Sequence, residues 1–197
     1  MKTKKVGLYF GSFNPIHIGH LILANYILEF SDLEELWFVV TPHSPFKEKK
    51  SLLEDNQRLD MVQQAIAPYP KMRASNAEFF LPKPSYTVDT LAYLNEKHPS
   101  YSFSLIMGED NLKGLSKWKN SHYLIENYEI LVYPRLSEDD KPTNYPDLGP
   151  NIHLIEAPII EISSTEIRQM IKDGKNVRPM LPVEVYDYLE GSSFYKS

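Results

Sequence analysis

Short apolar runs of strand type alternate along this chain with segments of helical period, and that alternation limits the folds open to it. Residues 5–10 (KVGLYF), 36–40 (LWFVV), 101–107 (YSFSLIM), 128–133 (YEILVY) and 152–155 read as strands, and 72–77 as a further one. Between them, 20–30 carries Leu21, Ala24, Ile27 and Leu28 at helical spacing. The same period runs through Leu59, Val62 and Ile66 in 55–67, and through Val88, Leu91, Ala92 and Leu94 in 87–97. Residues 118–126, 164–172 and 182–189 complete the helices, while Pro42, Pro68 and Pro134 stop elements. Strands alternating with helices at this spacing predict βαβ units, a mainly parallel sheet and helices on both faces. With 197 residues, 42% of them apolar, the chain is long enough to bury a core. We expect a single domain over 1–197 with a small C-terminal helical part from about residue 163.

Several function classes are disfavoured at once. The chain has no Cys, which rules out disulfides and cysteine-based zinc or redox centres. Its N-terminus, MKTKKVGLYF, is basic then apolar, but Gly11, Asn14 and Pro15 interrupt the run before it reaches the length of a signal peptide. No stretch approaches the roughly 18 apolar residues of a membrane span. The expected location is therefore cytoplasmic, with no membrane partner. A net charge of -5 argues against a general nucleic acid surface. It leaves room for a local phosphate site, which needs only a few cations and backbone N–H groups. Two polar stretches, 42–53 (basic, proline-containing) and 136–150 (three prolines), read as surface loops.

In a parallel sheet, ligands bind outside the carboxyl ends of the strands. The loop after the first strand is therefore the first place to look. It reads GSFNPIHIGH, residues 11–20. Gly11 and Ser12 allow a tight turn and close backbone approach, and Asn14-Pro15 fixes a turn. The following helix offers free N–H groups and a positive dipole end to a phosphate. His17 and His20 are three residues apart and would share a face there, as positive hydrogen-bond donors to phosphate oxygens. A lone histidine at this place would more simply cap a turn; two in a glycine-bearing strand-to-helix turn favour a site. Near the C-terminus, ISSTEIRQMI (162–171) has Ser163 or Ser164 placed to cap a helix, with Arg168 suited to phosphate beside them. By itself that stretch is an ordinary helix start.

Together, GSFNPIHIGH and ISSTEIR resemble the paired signatures of the nucleotidyltransferases that carry the (T/H)xGH motif. HxGH also occurs in class I aminoacyl-tRNA synthetases, but those are much longer and have a KMSKS-like loop that is absent here. Three more stretches place the resemblance in the branch that adenylylates pyridine mononucleotides: PSYTVDTL (84–91), IMGEDNLKGLSKWK (106–119) and TPHSPFKEKKSLLEDNQRLDMV (41–62). It covers the whole chain. The implied fold is α/β, a Rossmann-like open parallel sheet of nucleotidyltransferase type. The implied activity is adenylyl transfer from ATP, with Mg2+, to nicotinate mononucleotide, giving nicotinate adenine dinucleotide and pyrophosphate. Nicotinamide mononucleotide is the alternative acceptor, phosphopantetheine a more distant one, and a non-catalytic nucleotide sensor the alternative in kind. The oligomeric state is left open, a homo-oligomer included.

Carried over residue by residue, the resemblance assigns Gly11, Ser12 and Phe13 to the shared phosphate region through main chain. It assigns His17 and His20 to the ATP phosphates, with His20 the stronger candidate for stabilising the transition state. Ser163, Ser164, Thr165 and Arg168 would hold those phosphates from the opposite side, and Gly108 and Asp110 would face the adenosine. Tyr86, Thr87 and Trp118 would enclose the pyridine ring, and Lys47 would be the loop cation that reaches the phosphates. No protein metal ligands are implied. Each assignment has a plainer counterpart: Trp118 as core, Thr87 or Asp110 as helix caps, and Lys47 with Lys49 and Lys50 as a solvated charge run. Two positions depart from the usual pattern: Asn14 stands where Asp is common, with little cost expected, and Phe46 where the basic loop often has His.

Overall fold

Among the residues described by the computed structural model (3–42, 52–135 and 149–196), six strands form one sheet, all parallel. They are β1 (Lys4–Gly11), β2 (Glu35–Val40), β3 (Met72–Ser75), β4 (Tyr101–Gly108), β5 (Ile130–Tyr133) and β6 (Ile152–Leu154), in the order β3-β2-β1-β4-β5-β6. The central strands are covered on both faces, which is why they read as continuous apolar runs. In β1, Val6 and Leu8 pack with Val88, Leu91 and Leu124, whereas Tyr9 packs with Leu23, Ile27, Met61 and Ile167 on the other face. Helices α1 (Ile18–Phe30), α2 (Asp55–Ile66), α6 (Ser164–Lys172) and α7 (Val183–Glu190) cover the Tyr9 face; α3 (Thr87–Lys97) and α5 (Ser121–Asn127) cover the opposite one. The two C-terminal helices join the core of the Tyr9 face through Ile167, Val185 and Leu189, and α7 packs on α2.

The strand order reverses at β1, which has β2 on one side and β4 on the other. Loops leaving the carboxyl ends of β1 and β4 diverge there and leave a crevice, the usual ligand position in open α/β sheets.

Three elements differ from the sequence expectation. The helix expected over 118–126 starts only at Ser121, because Asn120 takes a left-handed conformation (φ 53) that ends the preceding turn. Ahead of it, Glu109–Gly114 forms a short helix, α4, followed by a 3-10 turn at Leu115–Lys117. The third strand stops at Ser75, and Ala77–Phe80 forms a 3-10 turn. Most of the two polar stretches, including Lys47, lies outside the described residues.

Candidate active site

The turn that follows β1 is held in a conformation the chain would not adopt unaided. Phe13 is left-handed (φ 45), a region that bulky residues rarely occupy. Its buried ring is fixed by edge contacts with Tyr9 (5.8 Å between centroids), Phe38 (5.4 Å) and His20 (5.1 Å), so surrounding packing imposes the backbone strain. Helix α1 then begins after His17. Gly19 is required by close approach: a Cβ there would fall 2.9 Å from Ile160 and about as close to the His17 ring.

The structure brings the two separated motifs together. Ser164 Oγ donates to the Pro15 carbonyl at 2.8 Å, and Arg168 Nη1 donates to the Asn14 carbonyl at 2.8 Å. Ser163 caps α6, its Oγ accepting from the Glu166 amide at 3.1 Å, and Thr165 Oγ1 accepts from Arg168 Nη2 at 3.3 Å. Each of these groups already has a protein partner, and two of them tie the C-terminal motif to the turn, across 149 and 154 residues of chain.

His17 and His20 stack with centroids 3.7 Å apart, and His20 Nδ1 accepts from the His17 amide at 3.2 Å. That bond places the His20 ring proton on Nε2. His17 Nδ1 is buried with no hydrogen-bond partner. Both rings line a narrow cleft with Arg135, Tyr9 and Tyr133. Burial, followed by the Arg135 charge, lowers the His17 pKa to about 4. Burial, then His17, then Arg135 push His20 well below its ordinary value. The expectation of two positively charged donors is therefore corrected: near neutral pH both rings are neutral, because burial first and neighbouring positive charge second both disfavour the protonated form.

This has a consequence for stability. His17 binds a proton below 6.5 in the unfolded chain but only near 4 in the folded one, so its contribution is complete above pH 6.5 and lost as pH falls toward 4. The full effect is about 3 kcal/mol, from the size of the shift. Thermal melts should drop over that window, and His17→Asn should flatten the upper part of the drop. An unchanged profile would contradict the buried neutral state.

Beside the histidine cleft, and sharing Tyr9 and Tyr133 with it, lies a cavity of about 620 Å³, a size typical of ligand sites. Its lining includes Gly11, Ser12, Tyr86, Thr87 and Trp118, together with Lys117 and Lys119. Thr87 is not the helix cap its position suggested; Tyr86 holds the cap position and Thr87 opens α3. Trp118 packs partly against the core of the α3 face while also lining the cavity. Gly108 precedes α4, where a Cβ would crowd both Asp110 and Arg135. Asp110 lies 3.8 Å from Arg135 Nε.

Sequence reasoning missed four residues. Arg135 lines the cleft beside the histidine pair, and its charge acts on both rings. Glu78, buried, accepts from Ser85 Oγ (3.2 Å) and Thr90 Oγ1 (2.9 Å) and so fixes the segment that presents Tyr86 and Thr87. Arg58 is fully buried and donates to the carbonyls of Ser12 (2.6 Å), Thr41 (2.8 Å) and Leu53 (3.0 Å), while pairing with Asp55. Tyr195 donates from the C-terminal tail to Asn14 Oδ1 at 2.5 Å. Arg58 alone gave a signal: it shares helical spacing with Met61, Val62 and Ala65, a charged residue within an apolar stripe.

The cytidylyltransferase-like family model matches residues 8–170, which span the turn after β1, the cavity wall and most of α6. The chain belongs to the cytidylyltransferase-like family. Within it, the chain is 56% identical over 193 residues to the probable nicotinate-nucleotide adenylyltransferase of Flavobacterium johnsoniae, covering 98% of this chain and 99% of that one. It is 48% identical to the protein of the same name from Cytophaga hutchinsonii, again over 98% of this chain and 99% of the relative. Among solved structures, the nicotinic acid mononucleotide adenylyltransferase of Plasmodium falciparum complexed with NaAD shares the fold. It superposes with a TM-score of 0.77 at 22% identity, covering 98% of this chain and 97% of the other. The family model ends inside α6, whereas the fold likeness to the solved structure covers 98% of this chain.

Proposed function

We propose that this chain transfers the adenylyl group of ATP to nicotinate mononucleotide, giving nicotinate adenine dinucleotide and pyrophosphate in NAD biosynthesis. The observation that carries the reading is the union of the two motifs at the sheet's switch point, with Ser164 on Pro15 and Arg168 on Asn14. Relatives of nearly identical length bear that activity in their names. The nucleophile is a phosphate oxygen of the mononucleotide, anionic before the reaction begins, so no general base is needed. It attacks the α-phosphorus of ATP, the bond to the bridging oxygen breaks, and pyrophosphate leaves with the electron pair. The protein's task is positioning and charge stabilisation.

On this reading the neutral His20 offers a fixed Nε2–H, and His17 holds that ring in place from the same cleft. Arg135 and the outer N–H groups of Arg168 supply charge. Ser164 and the inner arm of Arg168 act on the turn itself. The larger cavity, with Tyr86, Thr87 and Trp118, takes the pyridine nucleotide. Mg2+ would travel on the triphosphate oxygens of ATP. Among the described residues, no helix is long and apolar enough to cross a membrane.

The test is pyrophosphate release from ATP and Mg2+ with each mononucleotide in turn. Release with a higher kcat/KM for nicotinate than for nicotinamide mononucleotide is expected. The reverse order would change the acceptor. ATP binding without release from either would make the protein a sensor.

A further inference from the structure

The mechanism above leaves unused a buried polar node beneath the phosphate turn. Asn14 is only 3% exposed, yet its Oδ1 receives two donors from distant parts of the chain: the Leu53 amide at 3.2 Å and the Tyr195 hydroxyl at 2.5 Å. Its backbone carbonyl receives Arg168. One residue of the turn is thus gripped by both the C-terminal helix motif and the C-terminal tail. Tyr195 is itself left-handed (φ 62), a costly state for a bulky residue that persists only where its surroundings impose it. Its ring packs against the core of the Tyr9 face, and its hydroxyl feels the charges of Arg168 and Arg58. Burial holds the hydroxyl in its protonated, donating form.

Leu53 gives the node its reach. It stands at the end of the basic stretch 42–53, whose start is Thr41–Pro42 at the carboxyl end of β2. Arg58 holds the Thr41 and Leu53 carbonyls together with that of Ser12. Both ends of the basic stretch are therefore anchored to the phosphate turn, and Asn14 carries one of those anchors.

We infer that Tyr195 is a positioning residue for adenylyl transfer: through Asn14 Oδ1 it fixes the phosphate turn and the exit of the basic stretch relative to each other. The inference rests on the adenylyl-transfer reading. Without the hydroxyl, Asn14 Oδ1 loses the donor from the tail, and the turn can shift with the tail while the core stays intact.

The experiment is steady-state kinetics with ATP and nicotinate mononucleotide, well below the melting temperature, on wild type, Tyr195→Phe, Asn14→Ala and the double variant. Tyr195→Phe should lower kcat/KM for ATP about fivefold, the equivalent of one buried hydrogen bond. The double variant should be no worse than Asn14→Ala alone, because both changes remove the same contact. Asn14→Asp, which still accepts from both donors, should keep Tyr195 effective, so that Tyr195→Phe made in the Asp background again costs activity. A Tyr195→Phe enzyme that melts earlier but keeps kcat/KM within twofold would make the tail merely structural and overturn the inference. So would losses that simply multiply in the double variant. Wild type without pyrophosphate release would instead overturn the reading beneath it.

Discussion

Replacing His20 by alanine is expected to lower kcat about 10²- to 10³-fold, the usual loss when one donor aimed at developing charge is removed. Its geometry explains why the effect should fall on turnover. The ring is locked by the His17 amide on Nδ1 and by its stack on His17, so the Nε2–H is a fixed donor that needs no reorganisation. The stability cost should be far smaller, about 1–2 kcal/mol, because the ring is only partly packed, against Phe13 and Tyr9 at the cleft wall. His20→Gln should recover part of the rate, since its amide nitrogen can take the place of Nε2, whereas His20→Asn should not. Rapid pyrophosphate release and a melting curve, measured on the same preparations, separate the two effects. Turnover within a few fold of wild type in His20→Ala would remove His20 from the reaction.

What the sequence disclosed and what it hid follow from range. The order of strands and helices was legible because each element is a local pattern: VGLYF and LWFVV carry no charge, and the helices repeat their apolar positions at helical spacing. The turn GSFNPIHIGH was legible because turn chemistry is local too. The charge state of its histidines was not, since it depends on burial and on Arg135, which arrives from β5 more than 100 residues later. Asn14 looked like a turn residue whose lost charge matters little. Its Oδ1 is in fact a junction for Leu53 and Tyr195, set by how the sheet and the C-terminal helices close on the turn. Tyr195, near the end of the tail sequence GSSFYKS, carries no periodic or motif signal at all.

Arg58→Met is expected to be the most destabilising of these changes, by about 3 kcal/mol or more, lowering the melting temperature by about 10 °C. A buried arginine can sometimes be exchanged for an apolar residue at no loss when its partners are exchanged as well. That route is closed here. Three of the acceptors are the main-chain carbonyls of Ser12, Thr41 and Leu53, which no substitution removes. Methionine fills the volume but leaves these oxygens short of a donor in a site that water reaches poorly, and the half-buried Asp55 carboxylate loses its closest cation. Arg58→Lys keeps a charge near Asp55 but has no planar fork with which to span carbonyls from three different segments, so it should restore only part of the loss. The stability deficit should come with weaker ATP use even at low temperature, because the same three carbonyls set the spacing of the phosphate turn, the end of β2 and the start of α2. Melting within about 2 °C of wild type would mean that these carbonyls find other donors and that Arg58 does not organise the site.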